Sequence, residues 1–91
     1  MNIQFSGVKL DDVQRSLVNG LSKRFCKACP KIDILHINIK KHQKAGNRVS
    51  YTINLRARRE GRDARSVEVT DWDFAWCARE VFKKLEKELR C

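Results

Sequence analysis

The sequence predicts an α+β fold, a four-stranded sheet with two helices packed on one face, in the order β-α-β-β-β-α. Three observations predict it. Apolar and polar residues alternate at strand periodicity in four stretches, apolar residues recur at helical spacing in two others, and turn-forming clusters separate the middle strands. With 91 residues the chain is long enough for one core and too short for two, so residues 1–91 are expected to fold as a single domain.

Ile3 and Phe5 alternate with Gln4 and Ser6 and end at Gly7, which permits a turn, so a short first strand is expected. From Leu10 the period changes. Val13, Leu17, Leu21 and Phe25, with Val18 alongside, make one apolar helical stripe, entered through Asp11 and Asp12, whose charges suit a helix N-terminus. The residue before a proline avoids the helical region, so this helix stops at Cys29, ahead of Pro30. Leu35, Ile37 and Ile39 then alternate with Ile34, His36, Asn38 and Lys40 as a second strand. Val49, Tyr51, Ile53, Leu55 and Ala57 alternate with Arg48, Ser50, Thr52, Asn54 and Arg56 as a third, the clearest half-buried strand in the chain. Lys44-Ala45-Gly46-Asn47 supplies the turn between them, and Glu60-Gly61-Arg62-Asp63 the turn to a fourth strand around Val67 and Val69. These are three consecutive antiparallel strands. Phe74, Ala78, Val81, Leu85 and Leu89 complete the chain as a long helix with Asp71 or Asp73 as its N-cap.

The charge balance narrows the function. Lys and Arg number 20 against 11 Asp and Glu, a net charge of +9. Such an excess favours polyphosphate partners, because each Lys or Arg set on a phosphate releases condensed counterions. Solubility alone and an anionic membrane surface are the alternatives. No stretch has the apolar length of a membrane helix, and Met1-Asn2-Ile3-Gln4-Phe5 lacks the features of a signal peptide. A cytoplasmic protein with no membrane partner is expected, its cysteines at 26, 29, 77 and 91 held as thiols.

The distribution of the charge is more specific. At about 100° per residue, Trp76, Arg79, Lys83, Lys87 and Arg90 fall on the side of the last helix opposite Val81 and Leu85, while Glu80, Glu86 and Glu88 lie off that line. Lys23, Arg24 and Lys27 add to it from the end of the first helix. A solvated helical face would look the same on the last helix alone; two basic helices favour a nucleic-acid surface. Between Lys40 and Arg65 the basic residues Lys40, Lys41, Lys44, Arg48, Arg56, Arg58, Arg59, Arg62 and Arg65 face only Glu60 and Asp63. Arg48, Arg56 and Arg58 on the strands, with Trp76, are expected to be auxiliary, because the sheet lacks the paired surface aromatics on which bases stack. For Arg58 and Arg59, protection of an edge against strand pairing is an equal explanation.

No motif points to an enzyme, a cofactor or a small-molecule substrate. Cys26-Lys27-Ala28-Cys29 could be a redox pair or half a zinc site, but Cys77 and Cys91, 14 residues apart, would be roughly 21 Å apart on a continuous helix and cannot both join one metal. Cys77 reads as a small core residue. His36 and His42 have no carboxylate or nucleophile nearby in sequence, and Gly46 and Gly61 belong to turns rather than phosphate loops.

With the element order established, the chain resembles the ribosome hibernation-promoting factors, also called ribosome-associated inhibitor A or sigma-54 modulation proteins. Phe5-Ser6-Gly7 is similar to that family's first strand and turn, and Leu10-Asp11-Asp12-Val13 to the start of its first helix. Asp73-Phe74, followed by Lys84-Leu85-Glu86-Lys87-Glu88-Leu89, resembles its capped final helix. The similarity spans essentially the whole chain. It departs at Trp72, Ala75, Arg79 and Cys91, where the family has a polar residue or glycine, a tyrosine, an acid and a further base. The resemblance implies a small-subunit partner bound where messenger and transfer RNA would lie, with ribosomal RNA touched by basic residues at positions matching Arg24, Lys84 and Lys87. It implies a translation silencer acting in stress, a short form without the module that pairs ribosomes in long members, and here a monomer is expected. The proposed interface is therefore Lys23, Arg24, Lys27, Arg79, Lys83, Lys84, Lys87 and Arg90. Three other readings stand beside it: a domain for double-stranded or structured RNA, a thiol protein using Cys26 and Cys29, and a protein-interaction module around Trp72 and Trp76.

Overall fold

The computed structural model describes residues 1–90; Cys91, and the expectations that fall on it, lie outside the described residues. The elements follow in the expected order: β1 (Asn2–Gly7), α1 (Asp12–Ala28), β2 (Ile32–Lys44), β3 (Arg48–Arg59), β4 (Arg65–Asp71) and α2 (Phe74–Leu89). They form one sheet in the order β1-β2-β3-β4, with β2, β3 and β4 antiparallel and β1 parallel to β2. A parallel pair needs a crossover, and α1 supplies it by returning across the face of the sheet.

Period-two alternation gives the sheet two unlike faces. Leu35, Ile37 and Ile39 of β2, Ile53, Leu55 and Ala57 of β3 and Val67 of β4 are buried together with Phe25 of α1 and Cys77, Val81, Phe82 and Leu85 of α2. The other face carries no helix. β2 and β3 continue past this core: Lys41 and Gln43 point to the helical side yet are exposed, and their partners are Tyr51 and Val49. The sequence pattern understated β2 for that reason, since strand beyond the core has no apolar face to display. Gly46 (φ 75°) and Asn47 (φ 59°) close the hairpin in the left-handed region.

Both helices are capped as their first turns require. Asp11 caps α1, accepting from Gln14 N at 2.7 Å while its own N–H donates to Gln14 Oε1 at 3.3 Å. Cys29 is the C-cap. At α2 the cap is Asp73, which accepts from Trp76 N at 3.2 Å; Asp71 accepts in turn from Asp73 N at 3.0 Å. One position departs from the predicted stripe of α1: Val13 is 80% exposed, and the buried face runs instead through Val18, Ser22 and Phe25. The stripe drifts because 3.6 residues per turn carry Val13 off a line drawn through Leu17, Leu21 and Phe25. Ser22 is tolerated inside because its hydroxyl donates to the Val18 carbonyl at 2.8 Å.

Gly7 ends β1 at φ +111°, where Val8 N donates to Ile39 O at 3.0 Å. A Cβ at Gly7 would sit 2.8 Å from Ile39 N and 2.9 Å from Ile39 C. Backbone therefore passes backbone here with no room for a side chain.

Two of the cysteines, Cys26 and Cys77, are free. Cys77 is the core residue it was read to be: fully buried, within reach of Val69 O at 3.2 Å, its thiol pushed up by burial.

Candidate nucleic-acid interface

The helical layer brings most of the predicted basic residues together. α1 and α2 meet through Phe25 and Phe82, whose rings make an edge contact at 5.9 Å. In α1, Lys23, Arg24 and Lys27 flank Phe25; in α2, Arg79 and Lys83 flank Phe82, with Lys87 one turn further on. All six are exposed. Burying the two phenylalanines against each other thus leaves their basic neighbours standing along the outer side of the helix pair. Trp76, 48% exposed, stands at the head of the α2 line.

Three details refine this arrangement. Lys83 pairs with Glu80 at 3.5 Å, so one carboxylate does touch the basic line; the pair is largely exposed and worth at most about 1 kcal/mol. Lys84 donates to the Glu68 carbonyl at 3.3 Å and stands on the β4 side of α2, away from the line. Arg90 is not helical: it is the C-cap, left-handed at φ 56°, its N–H directed to the Glu86 and Lys87 carbonyls.

Arg90 instead borders a cleft that sequence reasoning missed. The turn between β3 and β4 meets the end of α2 around a cavity of about 770 Å³, lined by Arg59, Arg62, Arg65, Lys87 and Arg90 with Asp63 and Glu88. Arg59 Nη2 donates to the Leu89 carbonyl at 2.6 Å, which satisfies one of the free carbonyls at the helix end, while Nε is buried without a partner among the described residues. Arg65 pairs with Glu88 at 3.7 Å. The basic run between Lys40 and Arg65 was visible in the sequence; its meeting with the end of α2 depends on tertiary packing and leaves no local signal.

The predicted auxiliary arginines lie elsewhere. Arg56 and Arg58 are exposed on the uncovered sheet face, Arg58 paired with Asp33 at 3.7 Å. Arg48 lies over the Trp72 ring, 4.4 Å from its centroid. Trp72 shares a cavity with His42, Lys44, Ser50, Thr52 and Thr70, which places it on the sheet, whereas Trp76 belongs to α2. His36 lies 3.1 Å from Ser6 Oγ, and His42 Nε2 lies 3.1 Å from Thr52 Oγ1. Among the described residues no three His, Cys, Asp or Glu side chains group as a metal site, and no helix is long and apolar enough to cross a membrane.

No protein-family sequence model and no curated protein sequence matches the chain. Solved structures do. A ribosomal subunit interface protein from Coxiella burnetii superposes with a TM-score of 0.82 at 18% identity, over 99% of this chain and 94% of that one. The N-terminal domain of Protein Y from Thermus thermophilus superposes with a TM-score of 0.70 at 17% identity, over 98% of this chain and 96% of that one. At such identities the likeness is one of architecture, and it extends from end to end: this chain has the fold of a ribosomal subunit interface protein.

Proposed function

We propose that this chain is a ribosome-binding protein of the hibernation-promoting kind, which docks its helical layer on ribosomal RNA of the small subunit and silences translation in the cytoplasm. The observation that carries the reading is the exposed basic line on both helices, on a fold shared with a ribosomal subunit interface protein. Structured RNA presents closely spaced phosphates, and long cationic side chains on a rigid helix pair can meet several at once.

Sedimentation with purified small subunits tests it. The protein should pellet with the subunit at low salt and be released steeply as salt rises, and its addition should depress translation in a reconstituted system. The Arg56→Ala, Arg58→Ala double variant should pellet nearly as well as the parent, since both side chains stand on the uncovered sheet face, away from the helical line. A loss larger than that from helix variants would move the ribosome contact to the sheet, and no binding at any salt would end the reading.

A further inference from the structure

We infer that the uncovered sheet face, at the end where β4 leads into Trp72, holds an unpaired RNA base stacked on the Trp72 indole. This goes beyond helical docking by adding a second RNA surface on the opposite side of the sheet, and it rests on the reading of the chain as an RNA binder.

Trp72 is 48% exposed, although a large indole beside a sheet ordinarily buries itself. Among the described residues its ring contact is the Arg48 guanidinium, which lies over the ring 4.4 Å from its centroid, orients it and covers one of its two faces with a positive charge. The space it borders measures about 340 Å³ and adjoins a second of about 240 Å³, the two sharing Thr52. The first lies within the range of cavities that hold small organic groups, about 300–1000 Å³.

The floor is polar and ordered in advance. His42 Nε2, Thr52 Oγ1 and Thr70 Oγ1 form a chain across three strands, with steps of 3.1 and 2.8 Å. Asn38 and Asn54, paired across β2 and β3, continue it with side-chain amides that can both donate and accept, as the edge of a base requires. Lys40 and Lys44 line this floor and Arg48 lies over Trp72, against Glu68 and Asp71. An apolar peptide side chain would cover the hydroxyls, imidazole and amides of this floor without pairing them. A flat aromatic ring, neutral hydrogen-bonding groups and surrounding cations match a base with its backbone phosphate.

The test uses a fluorescently labelled oligouridylate and an abasic oligonucleotide of equal length and charge, each titrated with the full chain at fixed salt. The parent should bind the base-bearing strand at least about tenfold more tightly than the abasic one. Trp72→Ala should lose that preference while keeping the weak, salt-sensitive binding common to both strands, and Trp72→Phe should restore most of it. Circular dichroism and sedimentation with small subunits, which reads the helical face, show that the variant is folded. Equal affinity for the two strands, a preference that survives Trp72→Ala, or no measurable binding of either strand would overturn the inference. So would a protein partner retained after nuclease treatment and released by Trp72→Ala. Failure of helical docking would show instead as loss of subunit binding in the parent, with the base preference intact.

Discussion

Replacing Lys83, Lys84 and Lys87 together by alanine is expected to lower the affinity for small subunits at least tenfold at physiological salt, and to flatten its salt dependence. Each phosphate no longer neutralised by a lysine should reduce the slope of log affinity against log salt by about 0.7 to 0.9. The geometry apportions that change unequally. Lys83 and Lys87 belong to the exposed line, whereas Lys84 reaches across to the Glu68 carbonyl at 3.3 Å. The slope should therefore fall by about two such steps rather than three, and Lys84→Ala alone should move it little. Glu80 holds Lys83 too weakly to withhold it from a phosphate, because the pair lies in water. All three lysines are exposed, so the fold should survive. Sedimentation over a salt series, with circular dichroism on each variant, reads every part of this. An unchanged slope in the triple variant would take α2 out of the interface.

Gly7→Ala is expected to damage the fold severely, costing about 3 kcal/mol or more. Two penalties coincide at this position. The backbone is at φ +111°, where a side chain is strained, and the added Cβ would press on the backbone of Ile39. Backbone held in a sheet cannot turn aside as a flexible side chain would. The bond from Val8 N to Ile39 O, at 3.0 Å, would be displaced with it. Gly46 and Gly61 also have positive φ, but open space surrounds them, so Gly46→Ala and Gly61→Ala should cost only about 1 kcal/mol. Thermal denaturation separates the cases, since 1 kcal/mol shifts the midpoint of so small a domain by about 4–8 °C. Equal midpoints for Gly7→Ala and Gly46→Ala would show that the end of β1 has room the backbone does not display.

Element order was legible because burial imprints a period: Leu35, Ile37 and Ile39 can lie on one face only of a strand, and Val81 and Leu85 on one stripe of a helix. The direction in which β1 pairs was not, since alternation reads alike whether Phe5 meets Ile37 in parallel or antiparallel register. The exposed helical cations were legible for the same periodic reason. The arginine cleft at Arg59 was not, because Arg59 and the Leu89 carbonyl lie 30 residues apart and meet only through packing. Trp72 falls between these cases. It continues the parity of Ser66, Glu68 and Thr70, so extending β4 by one step in the sequence would have put it on the uncovered face beside Arg48.

The parallel pairing of β1 also bears on how the chain reaches this structure. β2 and β3 meet across a short turn, so their closure costs little chain entropy. β1 meets β2 with Ile3 opposite Leu35, and only after all of α1 lies between them. β1, made before β2 during synthesis, therefore waits for a partner made about thirty residues later. Until then Ile3 and Phe5 have only water or another chain to face, and even in the finished sheet they remain 44% and 48% exposed along its edge. The growing chain is open to misassembly in the interval between β1 and β2, and the capping box at Asp11 is a local contact that favours α1 before the sheet is complete.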